Sequence, residues 1–186
     1  MPQQILIDKE LVENCKTGSL YDFKKLVELI SPFAFSVAFR ILGDEEEAKD
    51  IVQETMITIW RTINKIKSAE SFMTWMYRIV VNKCYDQLRK RKRKPEITVD
   101  EKTWSSISDR IAENTSSILE NNEIAKLINL LTERLSPKQR AVFVLSDLEE
   151  MSGEEVSLIT GLNPANVKAN LHYARKRIGE MIAKYI

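Results

Sequence analysis

Apolar residues recur at helical spacing along most of this chain, and glycine and proline are scarce at five each. That pattern predicts an all-α fold, because residues three and four apart share a face only on a helix. From Leu20 the positions Phe23, Leu26, Val27 and Ile30 repeat at this spacing. Ser31-Pro32 interrupts or restarts the pattern, and Phe33 to Leu42 continues it. Gly43 ends the run, and Asp44 stands as an N-cap with Glu47 completing a capping-box-like arrangement. The next helix spans about 45 to 63 and buries Ala48, Ile51, Val52, Thr55 and Ile59 on one face. A short polar connection, Asn64 to Glu70, leads into a helix from about Ser71 to Lys92, which Pro95 ends.

Periodicity fades over 96–117, where Ser, Thr, Asp and Glu accumulate; this reads as a flexible linker, with a transient turn of helix around Trp104 to Ile111. Helical order resumes from Ile118. Ser136, Pro137 and Gln139 mark a helix start: serine as cap, proline first and glutamine third. The chain therefore reads as two all-helical modules on a tether.

The 28 basic and 27 acidic residues nearly cancel, so the net charge of +1 selects no partner. Their distribution is more telling. Asp44 to Glu47, Asp50 and Glu54 form an acidic stretch, while Lys83 to Lys94 and Lys168 to Lys184 are basic, which suggests one protein partner and one nucleic-acid partner. Arg89 to Lys94 is an unbroken run of six cations, a block that attracts polyanions by releasing their counterions. Cys15 and Cys84 form neither a metal motif nor a disulfide framework, which favours a reduced cytoplasm. No signal peptide and no membrane-length apolar run is expected.

In the C-terminal module, Ser152 to Glu155 is another capping box, opening a short helix that ends at Thr160-Gly161. Asn163-Pro164 caps a second helix running to the chain end. Two helices across a tight glycine turn form a helix-turn-helix, whose second helix enters the major groove. Val167, Leu171, Ala174 and Ile178 would pack inward. Asn166, Lys168, Asn170, His172 and Tyr173 then face the groove, and Arg175, Lys176 and Arg177 suit phosphates. A helical hairpin with a solvated basic face is the competing reading. The lone His172 has no second histidine or acidic orienter, so it reads as a surface residue or DNA contact rather than a catalytic base.

On the helix before the basic run, Phe72, Met76, Ile79, Val80, Cys84 and Leu88 cover a broad apolar arc. Thr74, Arg78, Asn82, Tyr85 and Arg89 share the remaining arc, a mixture of cation, amide and aromatic suited to single-stranded DNA. Trp75 sits on the border, where wedging and core packing are both open. On the preceding helix Asp50, Gln53, Glu54 and Ile57 form an exposed stripe, either a solvated face or a dock for a basic helical partner.

These segments together resemble a bacterial RNA polymerase sigma factor of the extracytoplasmic-function type (sigma-70 family, group 4). The resemblance rests on GDEEEAKDIVQETMITIW from Gly43, SFMTWMYRIVVN from Ser71, the basic run, and SPKQRAVFVL and NVKANLHYARKRI further on. It implies a sigma-2-like helical bundle over 1–95, a linker over 96–117 and a sigma-4-like helix-turn-helix domain over 118–186. Asp50, Gln53, Glu54 and Ile57 would then dock on the clamp helices of the largest polymerase subunit. Trp75, Tyr77, Arg78 and Asn82 match the element that opens and reads the −10 region, with the loop Asn64 to Glu70 helping Asn82 hold a flipped-out base. Lys83, Tyr85 and Arg89 extend that surface. Lys168, Asn170, His172 and Tyr173 match the −35 reading helix, flanked by Asn166 and Arg175.

The function implied is a promoter-specificity factor without catalytic residues, metal or cofactor, cytoplasmic, and controlled by an anti-sigma factor. Asn170 and Tyr173 stand where relatives commonly carry basic residues, so the resemblance supplies no promoter consensus. Two other readings compete. A stand-alone helix-turn-helix regulator would bind duplex operator without polymerase but leaves the first module unexplained. A metal-dependent nuclease using Asp44, Glu47 and Asp50 lacks an accompanying His or Lys constellation.

Overall fold

Most of the described α-helices begin behind a side chain that answers an otherwise unpaired backbone N–H. The computed structural model describes residues 7–66, 68–92, 130–132 and 134–185. Helix α1 (Lys9–Lys16) begins behind Asp8, whose carboxylate accepts from the Glu10 N–H. Helix α2 (Leu20–Leu42) begins behind Ser19 and stops at Gly43, where a left-handed φ of 63° suits a residue without Cβ. Helix α3 (Glu45–Thr62) is capped by Asp44, which accepts from the Glu47 N–H at 2.8 Å. Only that half of the expected box forms, because the Glu47 carboxylate is bonded to Arg91 instead. Two 3₁₀ turns, Ile63–Lys65 and Ala69–Ser71, then lead into helix α4 (Phe72–Lys92), and Ile63, Ile66 and Ala69 pin that connection to the core.

Helix α2 differs from the sequence expectation, since it runs unbroken through Pro32. Proline removes one intrahelical donor, a cost of about 3 kcal/mol in a free helix. The faces on both sides of it, Leu26 and Ile30 before and Ala34, Val37, Ile41 and Leu42 after, are buried in one core, and that packing overrides the local break. Ser31 adds a side-chain bond to the Val27 carbonyl at 2.7 Å.

In the second module, helix α5 (Pro137–Phe143) and helix α6 (Gly153–Thr160) both open with reciprocal capping boxes, Ser136 with Gln139 and Ser152 with Glu155. A π turn, Val144–Leu148, follows α5. Helix α7 (Pro164–Tyr185) follows the Gly161 turn. The expected linker over 96–117, its transient helix, the Pro95 stop and the restart at Ile118 lie outside the described residues.

The first module packs α2, α3 and α4 on one another with α1 across α2. The second module does not stand apart from it. Helices α5 and α6 lie against α4, and Leu145, Val156 and Ile159 belong to the same continuous core as Ile30, Phe72 and Val80. A smaller cluster of Leu135, Ala174 and Ile178 holds α7 to its own module.

Candidate nucleic-acid and protein interfaces

The inner face of α3 carries Ala48, Ile51, Thr55, Met56 and Ile59 into the core. The helical period therefore turns Asp50, Gln53, Glu54 and Ile57 outward, and all four are exposed. Glu54 is paired with Lys83 of α4 at 3.0 Å. The stripe is longer than the sequence reading made it. Trp60, three residues beyond Ile57, is 37% exposed beside Ile57 at 51%, and its ring lies 4.7 Å from that of Phe23. Its signal was present in the spacing, yet an aromatic at a helix end reads first as core.

Helix α4 brings Arg78, Asn82 and Arg89 to an exposed arc, with Arg89 3.6 Å from Asp86. Lys83 is half-buried against Glu54, and Trp75 is half-buried with its ring 5.8 Å from Phe72. Tyr77 is half-buried and faces the second module; burial, with Glu149 nearby, pushes its phenol up to about 12. Tyr85 departs from the expectation of an open stacking ring: it is only 8% exposed, and burial pushes its phenol up to about 12. The basic run also divides. Arg91 donates to both carboxylate oxygens of Glu47 and to the Leu42 carbonyl at 2.9 Å, tying α4 to the α2–α3 corner rather than to solvent. Arg93 and Lys94 lie outside the described residues.

The helix-turn-helix forms as the sequence predicts. Gly161 takes a left-handed φ of 71°, and the Asn163 side chain accepts from the Asn166 N–H at 2.8 Å to start α7. Val167, Ala174 and Ile178 are buried and Leu171 half-buried, so the opposite face carries Asn166, Lys168, His172, Tyr173 and Arg175 into solvent. Asn170 is half-buried and donates its amide to the Asn166 carbonyl at 2.7 Å. Arg175 forms a two-point pair with Asp147 of the π turn, at 2.6 and 2.9 Å, and that pairing raises its already high pKa. The sequence reading did not anticipate this partner.

Among the described residues, no helix is long and apolar enough to cross a membrane. The acidic trio Asp44, Glu47 and Asp50 is not a metal constellation: Asp44 is a helix cap and Glu47 is held by Arg91.

Comparison with known proteins finds two family models on this chain. The Sigma-70 region 2 family model matches residues 26–94, and the Sigma-70, region 4 model matches residues 123–178. The ECF RNA polymerase sigma factor SigW of Bacillus subtilis is 26% identical over 183 residues, covering 94% of this chain and 96% of that protein. Among solved structures, CnrH in complex with the cytosolic domain of CnrY aligns with a TM-score of 0.68 at 21% identity, over 95% of this chain and 97% of that one. The sigma factor RpoE in complex with the anti-sigma factor NepR, from Bartonella quintana, aligns at 0.62 and 22% identity, over 88% and 98%. The region 2 match accounts for the module that a stand-alone regulator leaves unexplained. With both region models matched in order on two helical modules, the chain belongs to the sigma-70 family, as an extracytoplasmic-function sigma factor that gives RNA polymerase its promoter specificity.

Proposed function

We propose that the two exposed surfaces divide the work of promoter recognition between the modules. Residues 1–95 dock on core polymerase through Asp50, Gln53, Glu54 and Ile57. The same module reads and melts the −10 element through Trp75, Tyr77, Arg78, Asn82, Lys83, Tyr85 and Arg89. Residues 118–186 read the −35 element through Asn166, Lys168, Asn170, His172 and Tyr173, with Arg175 on phosphate. Residues 96–117 tether the two, so that binding at one element raises the effective concentration at the other. The factor acts in the cytoplasm and has no catalytic activity of its own. The Bartonella quintana neighbour was solved with an anti-sigma factor, and this chain would be held in check by a protein of that class.

The observation that supports this reading best is the outward stripe on α3, a row of two carboxylates, an amide and an apolar side chain on a rigid helix. Such a row suits a basic amphipathic helical partner, and Glu54 stays exposed although it is paired with Lys83. The test mixes the purified chain with core RNA polymerase and follows co-elution and start-site-specific transcription from genomic fragments. Both are expected, and both should weaken in Asp50→Ala with Glu54→Ala. Specific duplex binding without any polymerase association would replace this reading with the stand-alone regulator.

A further inference from the structure

One polar cluster bridges the seam between the modules. Arg40 on α2 donates to the Leu148 carbonyl at 2.5 Å and lies 3.2 Å from a carboxylate oxygen of Glu149. The same oxygen accepts from the Ser36 hydroxyl at 2.9 Å. Leu148 and Glu149 sit at the end of the π turn, and the next residue, Glu150, takes a φ of 53°. A residue other than glycine keeps that conformation only where its surroundings hold it, so the turn is shaped to carry the Glu149 carboxylate to α2.

Closure covers a definite part of α4. Tyr77 looks onto Glu149, and the Arg78 guanidinium reaches within 4.0 Å of the Cβ position of Gly161 in the helix-turn-helix. Val81 and Tyr85 fall between those two directions on the helix, the side on which α5 and α6 lie, and they are buried at 0% and 8% exposure. The Tyr85 hydroxyl finds no hydrogen-bond partner among the described residues. Closure therefore leaves this phenol without the partner that solvent supplies in an open state.

We propose that the free protein closes on itself, with Ser36, Arg40 and Glu149 as the latch, into an autoinhibited form in which its own second module covers the Tyr77 and Tyr85 edge of the −10-reading face. The closure stands on the contacts alone. Its inhibitory consequence rests on the promoter reading above.

The experiment uses the full chain with spin labels at Glu28→Cys and Glu180→Cys, two exposed positions outside every proposed contact surface, one in each module. The native Cys15 and Cys84 are buried, and burial pushes their thiols up to about 11 and about 12, so they label poorly. Double electron–electron resonance should give one narrow, short distance for the parent. Arg40→Ala with Glu149→Ala should move a substantial fraction to longer, broader distances. Glu149→Gln, whose side-chain oxygen can still accept from Ser36 and Arg40, should stay closed.

In parallel, fluorescence anisotropy with a labelled pool of randomised single-stranded DNA should show several-fold tighter binding by the double alanine variant. A long distance in the parent, or an unchanged distribution in the double variant, overturns the latch. An opened distribution without tighter binding overturns the inhibitory role, provided the polymerase-bound protein does bind the pool. No binding even with polymerase present would instead count against the promoter reading.

Discussion

Arg91 stands third in a run of six cations, where sequence alone counts it as one more contact for phosphate. Its two-point bond to Glu47 and its bond to the Leu42 carbonyl make it a clamp on the α2–α3 corner. Both partners are partly exposed, so Arg91→Ala should cost about 1–2 kcal/mol and lower the melting temperature by about 4 °C. Lys90→Ala, on the exposed side of the same run, should leave the melting temperature within a degree or so while weakening DNA binding. Equal thermal losses from both would refute the clamp. The distinction was invisible in sequence because it depends on which cation the helical phase brings to Glu47, 44 residues away. The burial of Tyr85 is invisible in sequence for a related reason: it lies on the side of α4 against which α5 and α6 pack. Glu149 makes a different residue-scale prediction. Burial raises its pKa above the ordinary 4.5, outweighing the opposing pull of Arg40 and Ser36. The native state therefore holds that proton more tightly than the unfolded chain does. The resulting stabilisation is complete below pH 4.5 and is lost as pH rises through the raised value. Glu149→Gln should match the parent in melting temperature near pH 4 and exceed it at pH 7, and a gap independent of pH would reject the assignment.

The helices themselves were legible wherever a boundary is written locally. Ser136 with Gln139, Ser152 with Glu155, Gly43 and Gly161 all act as the sequence indicates, since a cap involves residues within one turn of each other. Asn163 belongs with them, and Asn163→Ala should cost about 1 kcal/mol by leaving the Asn166 N–H unanswered at the start of α7. Its circular dichroism should show no loss of helix at 20 °C and a lower midpoint on heating. Pro32 is the contrary case. A local rule marks it as a break, yet the core on both sides holds α2 continuous, and such a decision between local and tertiary terms cannot be read from a window of sequence. If packing is overriding an unfavourable residue, Pro32→Ala should stabilise the protein. The helix recovers a donor, against a loss of about 0.4–1 kcal/mol from a freer unfolded chain. A net gain of about 1–2 kcal/mol would appear as a melting temperature several degrees higher. An unchanged or lower value would mean that the surrounding side chains are fitted to the proline itself.

For the whole molecule, the near balance of 28 basic and 27 acidic residues hides a segregation that the fold makes spatial. The carboxylates of α3 other than Glu47 face outward on one element, while the cations gather at the end of α4 and along the outer face of α7. A protein with net charge +1 has little long-range pull on DNA, so attraction must come from local cation groups, each displacing counterions where it meets phosphate. Promoter binding by the polymerase-bound factor should therefore fall linearly on a plot of log affinity against log salt concentration. Arg175 tests whether the outer face of α7 contributes to that slope. Its guanidinium is already paired with Asp147, so a phosphate contact requires exchange of one anionic partner for another. If that exchange occurs, Arg175→Ala should reduce the magnitude of the slope by about 1, with a similar loss on every promoter tested. Lys168→Ala, at the exposed start of α7, should instead cost unequally among promoters that differ in the −35 element if α7 is the reading helix proposed above. An Arg175→Ala variant with the parent slope would show that the Asp147 pair persists in the complex, leaving Arg175 a brace between the π turn and α7 rather than a DNA contact.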